Sequence, residues 1–210
     1  LLACIGSRLA TTITYIEDPD SLRFALSVAD EFDVAALQPH FPGYPVFWAV
    51  ADGLSLLTGS FSAGFSIIGG LATAGILWAV LQLANAPLRS RTGAALTGLV
   101  FFNPLLWLMG NRYMPDLLGT AGALIVLALL LRALQDTTAS RPALVGMALA
   151  GLLAGLRLSY LPLVFVPLLF VLWKRPNRRR LFLAGTAGVL VWLVPMILDT
   201  GLYTLIDVAW

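Results

Sequence analysis

The stretch from Ala143 to Trp173 holds one charged residue, Arg157, in its 31 positions (143 to 173). A single helix of that length would extend about 46 Å, well past the roughly 30 Å hydrocarbon core of a bilayer. Arg157, Ser159 and Pro162 fall near its middle. The run therefore reads as two short helices with a tight turn at Arg157 to Tyr160. Phe61 to Ala86, Gly93 to Gly110, Leu117 to Leu131 and Leu181 to Leu198 are further uncharged runs of spanning or near-spanning length. Leu1 to Ile16, interrupted by Arg8, reads as the tail of a first span, because no basic lead precedes it and no A-x-A-like cleavage site follows it. Seven crossings result. The expected fold is an all-α polytopic membrane protein, one module over residues 1–210, and it reads as a piece of a longer chain.

Composition agrees. Charged residues make up 11% of the chain, against roughly 25% in ordinary soluble domains. One cysteine, Cys4, excludes an internal disulfide framework, and one histidine, His40, excludes a multi-histidine metal site built by this chain alone.

The placement of the charges matters more than the net of +2. With seven crossings, nine of the thirteen basic residues share one side: Arg89, Arg91, Arg132, Arg141, Lys174, Arg175, Arg178, Arg179 and Arg180. Ten of the eleven acids fall on the other, all but Asp136. The positive-inside rule makes the basic side cytoplasmic, which places the chain in the cell (inner) membrane with its acidic face outside. Tyr44 to Thr58 is apolar but contains Asp52. A crossing there would export the later arginines, so it is expected to lie at the interface with Asp52 toward water. Residues 15–60 thus form an extracytoplasmic loop with short membrane-surface helices. Trp48, Trp107, Trp173 and Trp210 near span ends suit an aromatic belt. The KRPNRRR run from Lys174 to Arg180 sits between two apolar spans and is explained by orientation and anionic lipid rather than nucleic acid.

A first loop of about 30 residues is far longer than a connector needs, which makes it a functional candidate by length alone. Within it a short helix is expected over Leu22 to Ala29, capped by Ser21 or Asp20. Asp116 is expected to head the next helix after Pro115, where a helix N-terminus favours a carboxylate by about 0.3–1 kcal/mol. Capping alone would account for Asp18, Asp20 and Asp116, unless the fold brings these acids together.

Asp20, Arg23, Phe24 and Ala25 in D-x-x-R-F-A, the PHFPGYP segment from Pro39 to Pro45, and an aspartate opening the fourth span resemble the GT-C superfamily of membrane glycosyltransferases. The chain is most similar to the branch holding protein O-mannosyltransferases and aminoarabinose transferases, glycosyltransferase family 39-like, over their seven-span module. The resemblance implies transfer of a sugar from a polyprenyl-phosphate donor to an acceptor hydroxyl at the outer membrane face. It makes Asp20 the first-loop acid and Asp116 the second. Relatives commonly follow the first aspartate with glutamate where Ser21 stands here, so Asp18 competes with Asp20 as the base. A carboxylate can take the acceptor proton while a cation meets the departing phosphate. Arg157, Arg112 and His40 are the phosphate candidates, with Arg23 a fourth. Each has a plainer reading: Arg157 snorkelling to the interface, Arg112 pairing with Asp116, His40 a structural hydrogen bonder. Asp18, Asp20 and Asp116 could also supply oxygens to a divalent cation such as Mg²⁺. Two other classes compete. A lipid-linked-sugar transporter or flippase would carry ionisable residues along several spans and an internal repeat, and a non-catalytic scaffold would need no acid pair.

Overall fold

Charge-free, leucine- and alanine-rich segments bounded by capping residues become helices along almost the whole chain. The computed structural model describes residues 1–136, 138 and 140–209, and among these the only strand-like pairing is an isolated bridge between Asp33 and Gln38. The helices are α1 (Leu2–Ala10), α2 (Pro19–Ala29), α3 (Pro45–Thr58), α4 (Phe61–Leu83), α5 (Arg91–Phe101), α6 (Pro104–Met109), α7 (Asp116–Gln135), α8 (Ser140–Leu156), α9 (Leu161–Lys174), α10 (Arg178–Thr200) and α11 (Leu202–Ala209). Trp210 lies outside the described residues.

Three helices, α4, α7 and α10, are long and apolar enough to cross a membrane. The fold is all-α and of membrane type. The other expected spans are shorter than the run lengths suggested. Gly93 to Gly110 is not one helix: Asn103 accepts from the N–H groups of Leu105 and Leu106, and Pro104 begins α6, so the chain stops at Phe101 and restarts. The F-N-P sequence is a helix stop and start inside an apolar run. Leu1 to Ile16 gives only the nine residues of α1. The Ala143 to Trp173 run does break between Leu156 and Leu161, through a 3-10 turn at Leu158–Tyr160.

The charged ends of the bundle separate. Phe61 packs on Tyr113 at 5.6 Å between ring centroids, so the N-termini of α4 and α7 lie together at an acidic end. Gln82 and Asn85 share a cavity with Arg132 and Gln135 at the opposite, basic end. Arg175 ties α9 to that end by donating to the carbonyls of Ala133 and Asp136 at 2.6 and 2.7 Å. Helix α3, 14 residues long, is shorter than a span: Tyr44 is its N-cap, and Phe61 just beyond its C-terminus is at the acidic end. Instead α3 buries Phe47 and Ala51, with Phe47 on Phe65 of α4 at 5.8 Å. Small residues make these contacts close. α4 buries Gly64, Ser66, Gly69, Ala72 and Thr73, and α7 buries Gly119, Ala121 and Ala123. Against lipid, which is as apolar as leucine, such close backbone packing is what holds helices together.

Among the described residues no carboxylate forms an ion pair with the buried Arg8. Arg8 is fully buried, its guanidinium 4.0 Å from the Trp107 ring and its Nη2 donating at 3.4 Å to Thr73 Oγ1 and to the Leu106 carbonyl.

Candidate functional site

Helix α2 begins three residues earlier than its apolar pattern suggests, at Pro19. Asp18 is the N-cap: its Oδ1 accepts from the Ser21 N–H at 2.8 Å. Proline fits the first helical position because it has no N–H to leave unpaired. Asp20, expected as a cap, lies instead in the first turn of α2 and points outward, 3.1 Å from Arg23 Nη1.

The loop back to α3 returns His40 to the same place. Phe24, fully buried, carries the edges of His40, Tyr44 and Phe47 at 5.7, 5.2 and 5.3 Å between ring centroids. Gly43 makes the turn at φ +87°, and a Cβ there would meet Met196 Cε at 2.9 Å and Val34 Cγ2 at 3.0 Å. No other residue combines that backbone with that clearance. His40 then has Nε2 3.2 Å from the Tyr44 hydroxyl and Nδ1 3.8 Å from Asp20 Oδ1. Burial, more than the nearby Asp20 charge can offset, pushes the imidazole below its ordinary 6.5. At neutral pH it is a neutral hydrogen bonder.

Helix α7 supplies the second acid. Asp116 starts the helix after Pro115 and meets Arg157 Nη2 at 3.1 Å, with both side chains about three-quarters shielded. Arg157 comes from the break between α8 and α9. Tyr160 in the same turn donates to the Asp116 carbonyl at 3.2 Å and lies 3.0 Å from Thr120 Oγ1. Gly119 lets this turn sit on α7: a Cβ there would stand 2.9 Å from Tyr160 Cε2 and 3.3 Å from Arg157 Cβ. Burial raises the Tyr44 hydroxyl above its ordinary value of 10, and the charges it feels are those of Arg157, Asp116 and Asp20.

Two buried atoms of this cluster, Asp116 Oδ2 and His40 Nδ1, have no hydrogen-bond partner. Buried polar atoms are nearly always paired, so such orphans mark a place for water or ligand.

Asp18 and Arg112 form a separate pairing. Arg112 does not reach Asp116 four residues on; its Nε contacts Glu17 Oε2 at 2.6 Å and its Nη2 contacts Asp18 Oδ2. A helix-start turn at 111–115 carries the side chain back toward the first loop, and the i, i+4 geometry of a continuous helix never forms. The Ser21 N–H, with Arg112 beside it, holds the Asp18 carboxyl below its ordinary value. Both Asp18 oxygens are occupied.

The three acids do not fit one shared divalent ion. Asp18 is held by Ser21 and Arg112, Asp20 by Arg23, and Asp116 by Arg157. Among the described residues no three His, Cys, Asp or Glu side chains gather as a metal-ligand set.

Tyr44 and Tyr160 were not singled out by sequence. The available signal was spacing, His40 to Tyr44 and Arg157 to Tyr160, which places each tyrosine one turn from a candidate residue. Comparison of the chain with protein-family models, curated proteins and solved structures finds no match.

Proposed function

We propose that this protein is a polytopic glycosyltransferase of the GT-C kind, working at the outer face of the cell membrane on a sugar carried by a polyprenyl phosphate. The observation that supports this reading is that Asp20 of the first loop faces His40, which contacts Tyr44, while Asp116 of α7 faces Arg157, and the Tyr44 hydroxyl feels the charges of Arg157, Asp116 and Asp20. In this reading the acidic end faces outward. α1, α4, α5 with α6, α7, α8, α9 and α10 make seven crossings, the short ones completed by interfacial segments.

The chemistry assigns one task to each group. Asp20 takes the proton of the acceptor hydroxyl as that oxygen bonds to the anomeric carbon. The bond from the anomeric carbon to the phosphate oxygen breaks, and its electron pair leaves on the polyprenyl phosphate. Arg157, oriented by Asp116, meets the charge that develops there. Asp18 is the poorer base, since each of its oxygens already holds a partner and its carboxyl lies below its ordinary value. Arg112 is occupied by Glu17 and Asp18. His40, neutral, contributes a hydrogen bond rather than a positive charge.

The test offers purified full-length protein a panel of polyprenyl-phosphate sugars and compares Asp20→Asn with Asp18→Asn. Asp20→Asn is expected to lower kcat by about 10²–10⁴-fold, and Asp18→Asn to keep most of it. Equal transfer by Asp20→Asn and the unaltered protein removes the base, and no transfer from any donor in the panel removes the reading.

A further inference from the structure

A lateral groove of about 940 Å³ runs between α3 and α10, and none of Asp20, His40, Asp116 and Arg157 lines it. Its size falls in the roughly 300–1,000 Å³ range of small-molecule sites. Val46, Ala49 and Val50 form one wall, Val191 and Pro195 the other, and Leu152 of α8 closes the back. Two tryptophans also line it, but their polar atoms are spent inside the protein: Trp48 Nε1 donates to the Ser27 carbonyl at 2.7 Å and Trp192 Nε1 to the Gly151 carbonyl at 2.9 Å. The rings therefore offer the groove only carbon.

The mouth has the opposite character. Asp30, Glu31 and Asp199 are the charged residues of the groove, all exposed, and the described lining contains no Lys, Arg or His. Helices α2 and α10 end beside them, at Ala29 and Thr200. Helix C-termini carry partial negative charge, which adds to the three carboxylates. Hydrocarbon walls under a wholly anionic mouth complement an amphiphile with a cationic head. A phospholipid would set its phosphate against these acids. The face of α9 with Leu163, Phe165 and Val166 is equally apolar but has no such mouth, as suits plain lipid contact.

We propose that this groove binds a single-chain amphiphile with an ammonium headgroup, the chain lying between α3 and α10 and the ammonium between Asp30, Glu31 and Asp199. The site is independent of the transferase reading.

The full chain in phosphatidylcholine nanodiscs tests it, with hexadecylamine bearing a mid-chain diazirine and the matching alcohol and sulfate as probes. After photolysis, labelled residues are mapped by mass spectrometry. The expected result is saturable labelling by the amine within residues 45–50 and 191–199, about tenfold above the alcohol, as three partly screened charge contacts would give. Labelling by the sulfate should fall below both. Asp30→Asn with Glu31→Gln and Asp199→Asn should erase the preference for the amine and leave alcohol labelling unchanged. Ala49→Phe, at an exposed groove position, should reduce labelling there by every probe and leave labelling of α9 unchanged. The comparison of headgroups on the unaltered protein stands even if a variant fails to fold. Equal labelling by all three heads, or labelling spread evenly over α9 and α10, would overturn the proposal.

Discussion

Replacing Gly119 by alanine sets two effects of similar size against each other. Alanine is favoured over glycine inside a helix by about 0.8–1 kcal/mol. The new methyl would stand 2.9 and 3.1 Å from the Tyr160 ring and 3.3 Å from Arg157 Cβ, and overpacking of this kind costs roughly 1–3 kcal/mol. A ring held by hydrogen bonds to Thr120 and the Asp116 carbonyl cannot swing away as an aliphatic chain end can. The net is a destabilisation of about 0–2 kcal/mol, with the 157–160 turn pushed off α7. Gly122, one turn along, is the control. Its Cβ would meet only Leu153 Cδ1 at 3.1 Å and Leu156 Cδ2 at 3.5 Å, both flexible ends, so Gly122→Ala should be neutral or stabilising by up to about 1 kcal/mol. Thermal unfolding of the two variants in detergent reads the stabilities. Because displacement of a catalytic group by about 1 Å can cost 10²-fold, Gly119→Ala should lose far more transfer than stability. Equal melting temperatures and equal transfer for the two variants would refute the reasoning.

Arg157→Ala and Asp116→Asn should each destabilise by about 1–3 kcal/mol, and the double variant by less than the sum, because each single change leaves a largely shielded partner alone; additive effects in a denaturation series would deny the pairing. His40 is held below its ordinary 6.5 by burial, so the unfolded chain takes the proton first, and stability should fall as the pH drops below about 6.5. His40→Gln should flatten that part of the curve. The Asp18 carboxyl is shifted in the same direction, so its contribution is also lost as the pH falls, but only at lower pH, as the carboxyl protonates below its ordinary 3.8. Phe24→Ala should cost about 3–5 kcal/mol and loosen His40 and Tyr44, seen by NMR as a move of the single histidine's ring resonances toward their unfolded positions. Arg8→Met should be neutral or stabilising in thermal unfolding, since the guanidinium it removes is buried without a carboxylate; a drop of several degrees would mean that the Trp107 contact outweighs desolvation.

Local chemistry explains which features were readable in the residues themselves. The absence of charge over long runs favours helices, and the Arg157–Ser159–Pro162 interruption marks the break between α8 and α9, with Pro162 in the first turn of α9, where its missing N–H costs nothing. Asp116 at the head of α7 follows from the proline before it. Helix length was misjudged where a short polar signal hides in an apolar run, as at Asn103 with Pro104, because hydropathy averages over the cap. Partner choice was a different matter. Arg112 and Asp116 are four residues apart and look like a pair, yet a turn intervenes, so Arg112 goes to Glu17 and Asp18 while Asp116 takes Arg157. The cluster of Asp20, His40, Tyr44, Asp116 and Arg157 draws on three distant parts of the chain, and only helix packing brings them together. The sequence by itself determined helices, polarity and the candidate acids, since those depend on neighbours along the chain. Which charges face each other, which partner holds each acid, and the anionic-mouthed groove between α3 and α10 depend on distances across the bundle, and only the tertiary structure decided them.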